Sequence, residues 1–220
     1  FLVNSTRVEV IARKQLHRSL LGEQHPFGRF AEASDYDRVT PEVLREFYRK
    51  YYHSGNCSVY VSGKVTPEIV RCIESNLGEA PWGEIRTMPS LELIEPQQTT
   101  EKHVFVEKAD ALQSSLKMGG FMMDRVHPDF LKARVMVTLF GGYFGSRLMS
   151  NIREDKGYTY GIGAGIVNCP GSGVLVITTE ADNQYIDAII SEVYQEMDRM
   201  CNDLAPQEEL EMVRSYMLGD

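Results

Sequence analysis

No apolar run in this 220-residue chain approaches the roughly 20 residues that span a bilayer. The longest, such as "VMVTLF" (135–140), are core-sized. A membrane is therefore not expected as a partner. Positive charge is also short. The chain has 23 Lys and Arg against 31 Asp and Glu, a net charge of −8. Phosphate binding needs a basic face, so nucleic acid is not expected as a partner either. Cysteine is sparse and unpaired. Cys57, Cys72, Cys169 and Cys201 form no C-x-x-C and have no histidine at zinc-finger spacing, so they read as small core or surface residues. This favours a reducing, cytosolic compartment.

Several catalytic signatures are missing. None of the five histidines, His17, His25, His53, His103 and His127, has another three or four residues away. Neither H-E-x-x-H nor H-x-x-E-H occurs, and Glu23 in "GEQHP" has only His25 beside it. The histidines read as surface or capping residues, and no metal ligand is assigned. There is no G-x-S-x-G. "GGYFGS" (141–146) lacks both phosphate-loop patterns and reads as a tight corner between helices. No secretory leader is recognisable at the start, and the last residues, "RSYMLGD", lie within a helical pattern. The chain reads as an excised fragment.

Apolar residues make up 43% and charged residues 25%, enough for a substantial core. Helical spacing runs through 6–21. Thr40 with Pro41 and Glu42, and Thr66 with Pro67 and Glu68, signal two further helix starts, the second helix ending at Gly78. Strands are expected at 56–63, 102–108, 114–122, 158–168 and 173–181, the last two joined as a hairpin around "CPGSG". Helices are expected at 127–141, 146–155, 183–203 and from 205 onward. The proline-rich stretch at 83–100 reads as a connector. The pattern predicts an α+β fold of two-layer domains, each an antiparallel sheet covered by helices. Residues 1–82 are expected to end a first half-domain, and 101–220 to form most of a second.

Within "SNIREDKGYTYGIGAG" (150–165), Arg153 and Tyr160 sit seven residues apart across Gly157. Arg153 reads as a cation at a helix C-terminus, and Tyr160 as a half-buried strand aromatic. The pair also has a second capacity. A guanidinium offers forked donors to a peptide carbonyl or carboxylate, and a phenol can donate to a carbonyl or its oxyanion. The alternating glycines of "GIGAG" leave room for another backbone, whether a helix or a bound peptide.

The stretch "LFGGYFGSRLMSNIREDKGYTYGIGAG" (139–165) resembles the C-terminal-domain signature of the pitrilysin/insulinase family. These are zinc metallopeptidases with an inverted H-x-x-E-H motif, related to mitochondrial processing peptidase. "GEQHPFGR" (22–29) resembles that family's H-P-x-G-R loop, and residues 39–78 resemble the end of its first domain. Ile152 stands where the family has leucine, and Tyr158 where it has an aliphatic residue.

The resemblance implies a protein that binds unfolded peptides in a chamber. Arg153 anchors substrate and Tyr160 positions the scissile carbonyl, while zinc lies in the catalytic half or in a homologous partner subunit. It implies that this fragment alone binds no catalytic zinc and cleaves nothing. It leaves two alternatives: a non-catalytic partner of a zinc-bearing homologue, or a structural subunit like the related core proteins of respiratory complexes.

Overall fold

The computed structural model describes residues 1–84 and 93–219. By contact these form two compact units, residues 1–30 with 93–219, and residues 31–84. Part of the connector read at 83–100, residues 85–92, lies outside the described residues. Residues 1–30, grouped with 31–82 by the sequence reading, pack instead with the sheet.

The larger unit begins with α1 (Leu2–Ser5) and α2 (Val8–Leu21). Its sheet is antiparallel, with β1 (Ser114–Met122) and β2 (Thr159–Cys169) flanking a central β3 (Ser172–Ala181). The β2–β3 hairpin pairs Cys169 with Ser172. Pro170 and Gly171 (φ 79°) therefore make the turn, as a type II turn requires. Register runs from Ser114 opposite Ala181 to Met122 opposite Gly173.

Strand alternation splits the sheet into two covered faces. On one, Ile162, Ile177 and Ala181 join a cluster with Phe140, Leu148, Met149, Ile152, Ile189 and Val193. On the other, Val174 and Cys169 pack against Leu20 and Leu21 of α2. Gly119 allows this approach, because a Cβ there would lie 3.2 Å from both Leu16 and Leu20. Ile189 and Val193, one turn apart and fully buried, each contribute about 2 kcal/mol by leaving water.

In the smaller unit lie α3 (Ala33–Asp37), α4 (Pro41–Tyr51) and α5 (Pro67–Ile73), the last continued by a π-helical turn, Glu74–Gly78. The Thr40 hydroxyl caps α4 by accepting from the Val43 N–H at 3.3 Å. Thr66 makes no such side-chain cap, and α5 starts on Pro67 alone. α3 was not anticipated.

The larger unit is completed by α6 (Phe130–Val137) with its π-helical continuation Thr138–Gly142, a π-helical segment Met149–Asp155, α7 (Ile186–Asn202) and α8 (Gln207–Leu218). Helices with a small antiparallel sheet make the fold α+β, as expected.

Two expected strands need correction. Residues 56–63 and 102–108 join no ladder among the described residues. Their alternating Val, Tyr and Phe residues encode a preference for extended backbone. A strand also needs a free neighbouring edge, and propensity does not provide one.

Candidate functional site

The site is the run from Gly141 to Tyr160. Gly141 is buried against β2, and a Cβ there would lie 2.7 Å from the backbone nitrogen and the Cβ of Ala164. Glycine at this corner lets the chain reverse directly beside the strand. Phe144 projects from the corner and is 63% exposed. The turn that follows is anchored from below by Leu148, Met149 and Ile152, all buried.

Polar contacts fix the same turn. The Arg147 guanidinium donates to Glu209 Oε2 of α8 through Nε (3.0 Å) and an Nη (2.8 Å). Asn151 donates to Glu196 Oε1 (2.7 Å) and Glu192 Oε2 (3.1 Å) of α7. Lys156 pairs with Glu192. Glu196 is buried, and it also accepts from Arg199 at 2.6 Å. A buried carboxylate with two donors is satisfied; without them it is costly. The hydrogen bond from Lys156 holds the Glu192 carboxyl below the usual carboxylate range. Burial opposes this, and Asn151 and the nearby positive charges assist it.

Arg153 sits on the outer side of this turn. Its Cζ lies 4.5 Å from the centroid of the Phe144 ring, a cation–π contact. Glu154 is its only other charged neighbour among the described residues, at 3.6 Å. The Arg153 carbonyl accepts from Gly157 N–H (3.2 Å), and Gly157 takes φ 66° to end the helix. Tyr158 then stacks on Tyr185, with centroids 4.9 Å apart.

β2 starts irregularly, with a register shift between Thr159 and Ile162. Tyr160 lies in that irregularity and is 92% exposed. The half-buried reading of Tyr160 is therefore wrong: the bulge turns the ring out of the sheet's packed faces. Arg153 keeps its expected place near a helix C-terminus. Tyr160 is presented at the surface and Arg153 is half-buried, on consecutive elements of one unit.

The histidines behave differently from one another. His127 Nδ1 accepts from Asp129 N–H (3.1 Å), a capping role. His25 is buried and accepts from Phe27 N–H (3.2 Å) within the "HPFGR" turn. His53 is buried in the smaller unit, so the surface reading fails for His25 and His53. Glu23 faces Arg18 at 3.7 Å. Among the described residues no three His, Cys, Asp or Glu side chains converge to hold a metal ion.

Phe144 and Glu196 were missed by the sequence reading. Glu196 carried a signal, since it stands seven residues after Ile189 and three after Val193, on the buried stripe of α7. Phe144 carried none beyond its place in a glycine-rich corner.

The profile of the family described as "Peptidase M16 inactive domain" matches residues 38–217, and the chain belongs to this family. Among relatives, an "Uncharacterized zinc protease" of Rickettsia bellii is 28% identical over 176 residues, which are 78% of this chain and 40% of that protein. A "Probable inactive metalloprotease YmfF" of Bacillus subtilis is 26% identical over 168 residues, 76% of this chain and 39% of that protein. The crystal structure of a peptidase M16 inactive domain from Pseudomonas fluorescens superposes with a TM-score of 0.81 at 24% identity, over all of this chain and 53% of that one. That likeness shows the fold. The chain spans about two-fifths of the length of these two relatives. Among the described residues no helix is long and apolar enough to cross a membrane.

Proposed function

We propose that this chain is the substrate-holding, non-zinc part of an M16-type peptidase, with Arg153 and Tyr160 facing a peptide. The observation that carries this reading is the presentation of the two side chains. Tyr160 is almost wholly exposed on a strand, and Arg153 leans on an exposed ring instead of a carboxylate partner at hydrogen-bond distance. Neither arrangement serves the core. A guanidinium backed by an aromatic face keeps its outer donors free for a peptide carbonyl or carboxylate. The phenol donates to the scissile carbonyl and stabilises negative charge growing on its oxygen.

The metal implied by the relatives' names belongs, in this reading, to another part of the protein or to a homologous subunit. The name of the Bacillus relative, "Probable inactive metalloprotease", supports the partner-subunit version. In that version the chain lends Arg153 and Tyr160 to a zinc-bearing homologue. The substrate is an unfolded peptide in either version.

The test is zinc content and peptide hydrolysis, measured for this chain alone and mixed with a zinc-bearing homologue. The chain alone is expected to hold no stoichiometric zinc and to cleave nothing, while the mixture gains activity that depends on Arg153 and Tyr160. Zinc-dependent hydrolysis by the chain alone would refute the reading.

A further inference from the structure

The register of the sheet slips where β2 begins. Thr159 stands opposite Ala181, and Ile162 opposite Thr179. Tyr160 and Gly161 therefore share the place opposite Glu180, the arrangement of a β-bulge. A bulge takes backbone groups out of the ladder, and those away from water need other partners.

Two threonine hydroxyls supply them. Thr159 Oγ1 donates to the Glu180 carbonyl at 2.6 Å and accepts from the Gly161 N–H at 3.2 Å. Thr179 Oγ1 lies 2.9 Å from the Gly161 carbonyl and 2.9 Å from Thr159 Oγ1, and shares its proton between them. The main-chain groups around the extra residue thus converge on one pair of hydroxyls.

Thr179 departs from the pattern of its own strand. Alternation puts it between Ile177 and Ala181, on the face that packs with Ile152 and Ile162. It is 1% exposed. A hydroxyl buried there is costly unless bonded, and valine would fill nearly the same space without one. Among the described residues the Thr179 side chain bonds to nothing but the bulge.

We propose that Thr159 and Thr179 are positioning residues for Tyr160. The inference rests on the reading in which Tyr160 meets the peptide carbonyl. The Tyr160 ring is too exposed for neighbouring side chains to direct it, so the backbone beneath sets its aim. The hydroxyl pair fixes that backbone on both sides, through Thr159 before the tyrosine and Gly161 after it. A phenol that donates to a growing oxyanion has to be aimed in advance, and misplacing it costs rate more than binding.

The test compares Thr179→Val with Thr179→Ser in the zinc-bearing assembly. Valine is expected to lower kcat for peptide hydrolysis by about tenfold with KM little changed. Serine keeps the oxygen and is expected to restore kcat. In a Tyr160→Phe background, Thr179→Val is expected to cost less than about twofold more, because the two changes remove one interaction. In this chain alone, the Gly161 amide is expected to exchange its hydrogen about tenfold faster in Thr159→Val, and at the wild-type rate in Thr159→Ser. Wild-type kcat in Thr179→Val beside a reduced kcat in Tyr160→Phe would overturn the proposal. So would losses that multiply in the double variant, or unchanged Gly161 exchange in Thr159→Val. Wild-type turnover in Tyr160→Phe would instead sink the substrate-holding reading, and the positioning role with it, while Gly161 exchange would still show whether the hydroxyls hold the bulge.

Discussion

The Arg153 guanidinium carbon lies 4.5 Å from the centre of the Phe144 ring. The two residues belong to different turns, the glycine-rich corner and the π-helical segment after it. The corner thus props the arginine that the following turn carries. A cation–π contact at an exposed site contributes about 0.5–1 kcal/mol. Phe144→Ala is therefore expected to raise KM for peptide in the active assembly by about two- to fivefold, with kcat little changed. Phe144→Tyr keeps the ring and is expected to restore the wild-type KM. Steady-state kinetics of the three proteins checks this.

Gly141→Ala tests the corner itself. Its new Cβ would sit 2.7 Å from the Ala164 backbone nitrogen, and neither segment can yield without moving main chain. Overpacking of this kind costs about 1–3 kcal/mol. Urea denaturation should show that loss.

Glu196 tests the polar anchor beneath Arg153. Glu196→Ala leaves the Asn151 amide and the Arg199 guanidinium without their 2.7 and 2.6 Å acceptor. Stability is expected to fall by about 2 kcal/mol. Glu196→Gln retains an acceptor oxygen and is expected to lose less. Thermal melts of both variants distinguish the cases.

Glu192 makes a pH prediction. Its carboxyl is held below its ordinary value, chiefly by the Lys156 hydrogen bond. A depressed folded-state pKa stabilises the fold fully above the unfolded value of about 4.3. That contribution is lost as pH falls through the lowered folded value. Denaturation measured from neutral pH down to about pH 3 should show wild type losing more stability than Glu192→Gln.

Much of this architecture was legible in the residues. β1 is the stretch "SSLKMGGFM" as read, and Pro170–Gly171 specified the hairpin turn. These signals are local, so sequence carries them. The strands read at 56–63 and 102–108 failed because pairing depends on a neighbour, which local alternation does not encode. The packing of α2 on β1 was invisible for a similar reason: it rests on Gly119 meeting Leu16 and Leu20 about a hundred residues earlier in the chain. At the site, Arg153 and Tyr160 were singled out by family resemblance. Their chemistry was plausible from residue type, but spacing did not place Tyr160 outside the packed faces. The bulge between Thr159 and Ile162 did that.

The most direct test is peptide turnover by the zinc-bearing assembly containing Tyr160→Phe, which removes one hydroxyl from a residue that supports no packing. Loss of a donor to the developing oxyanion predicts a fall in kcat of about tenfold to a hundredfold, with unchanged thermal stability. Wild-type turnover in both Tyr160→Phe and Arg153→Ala would contradict a substrate-holding role and leave this chain a structural subunit.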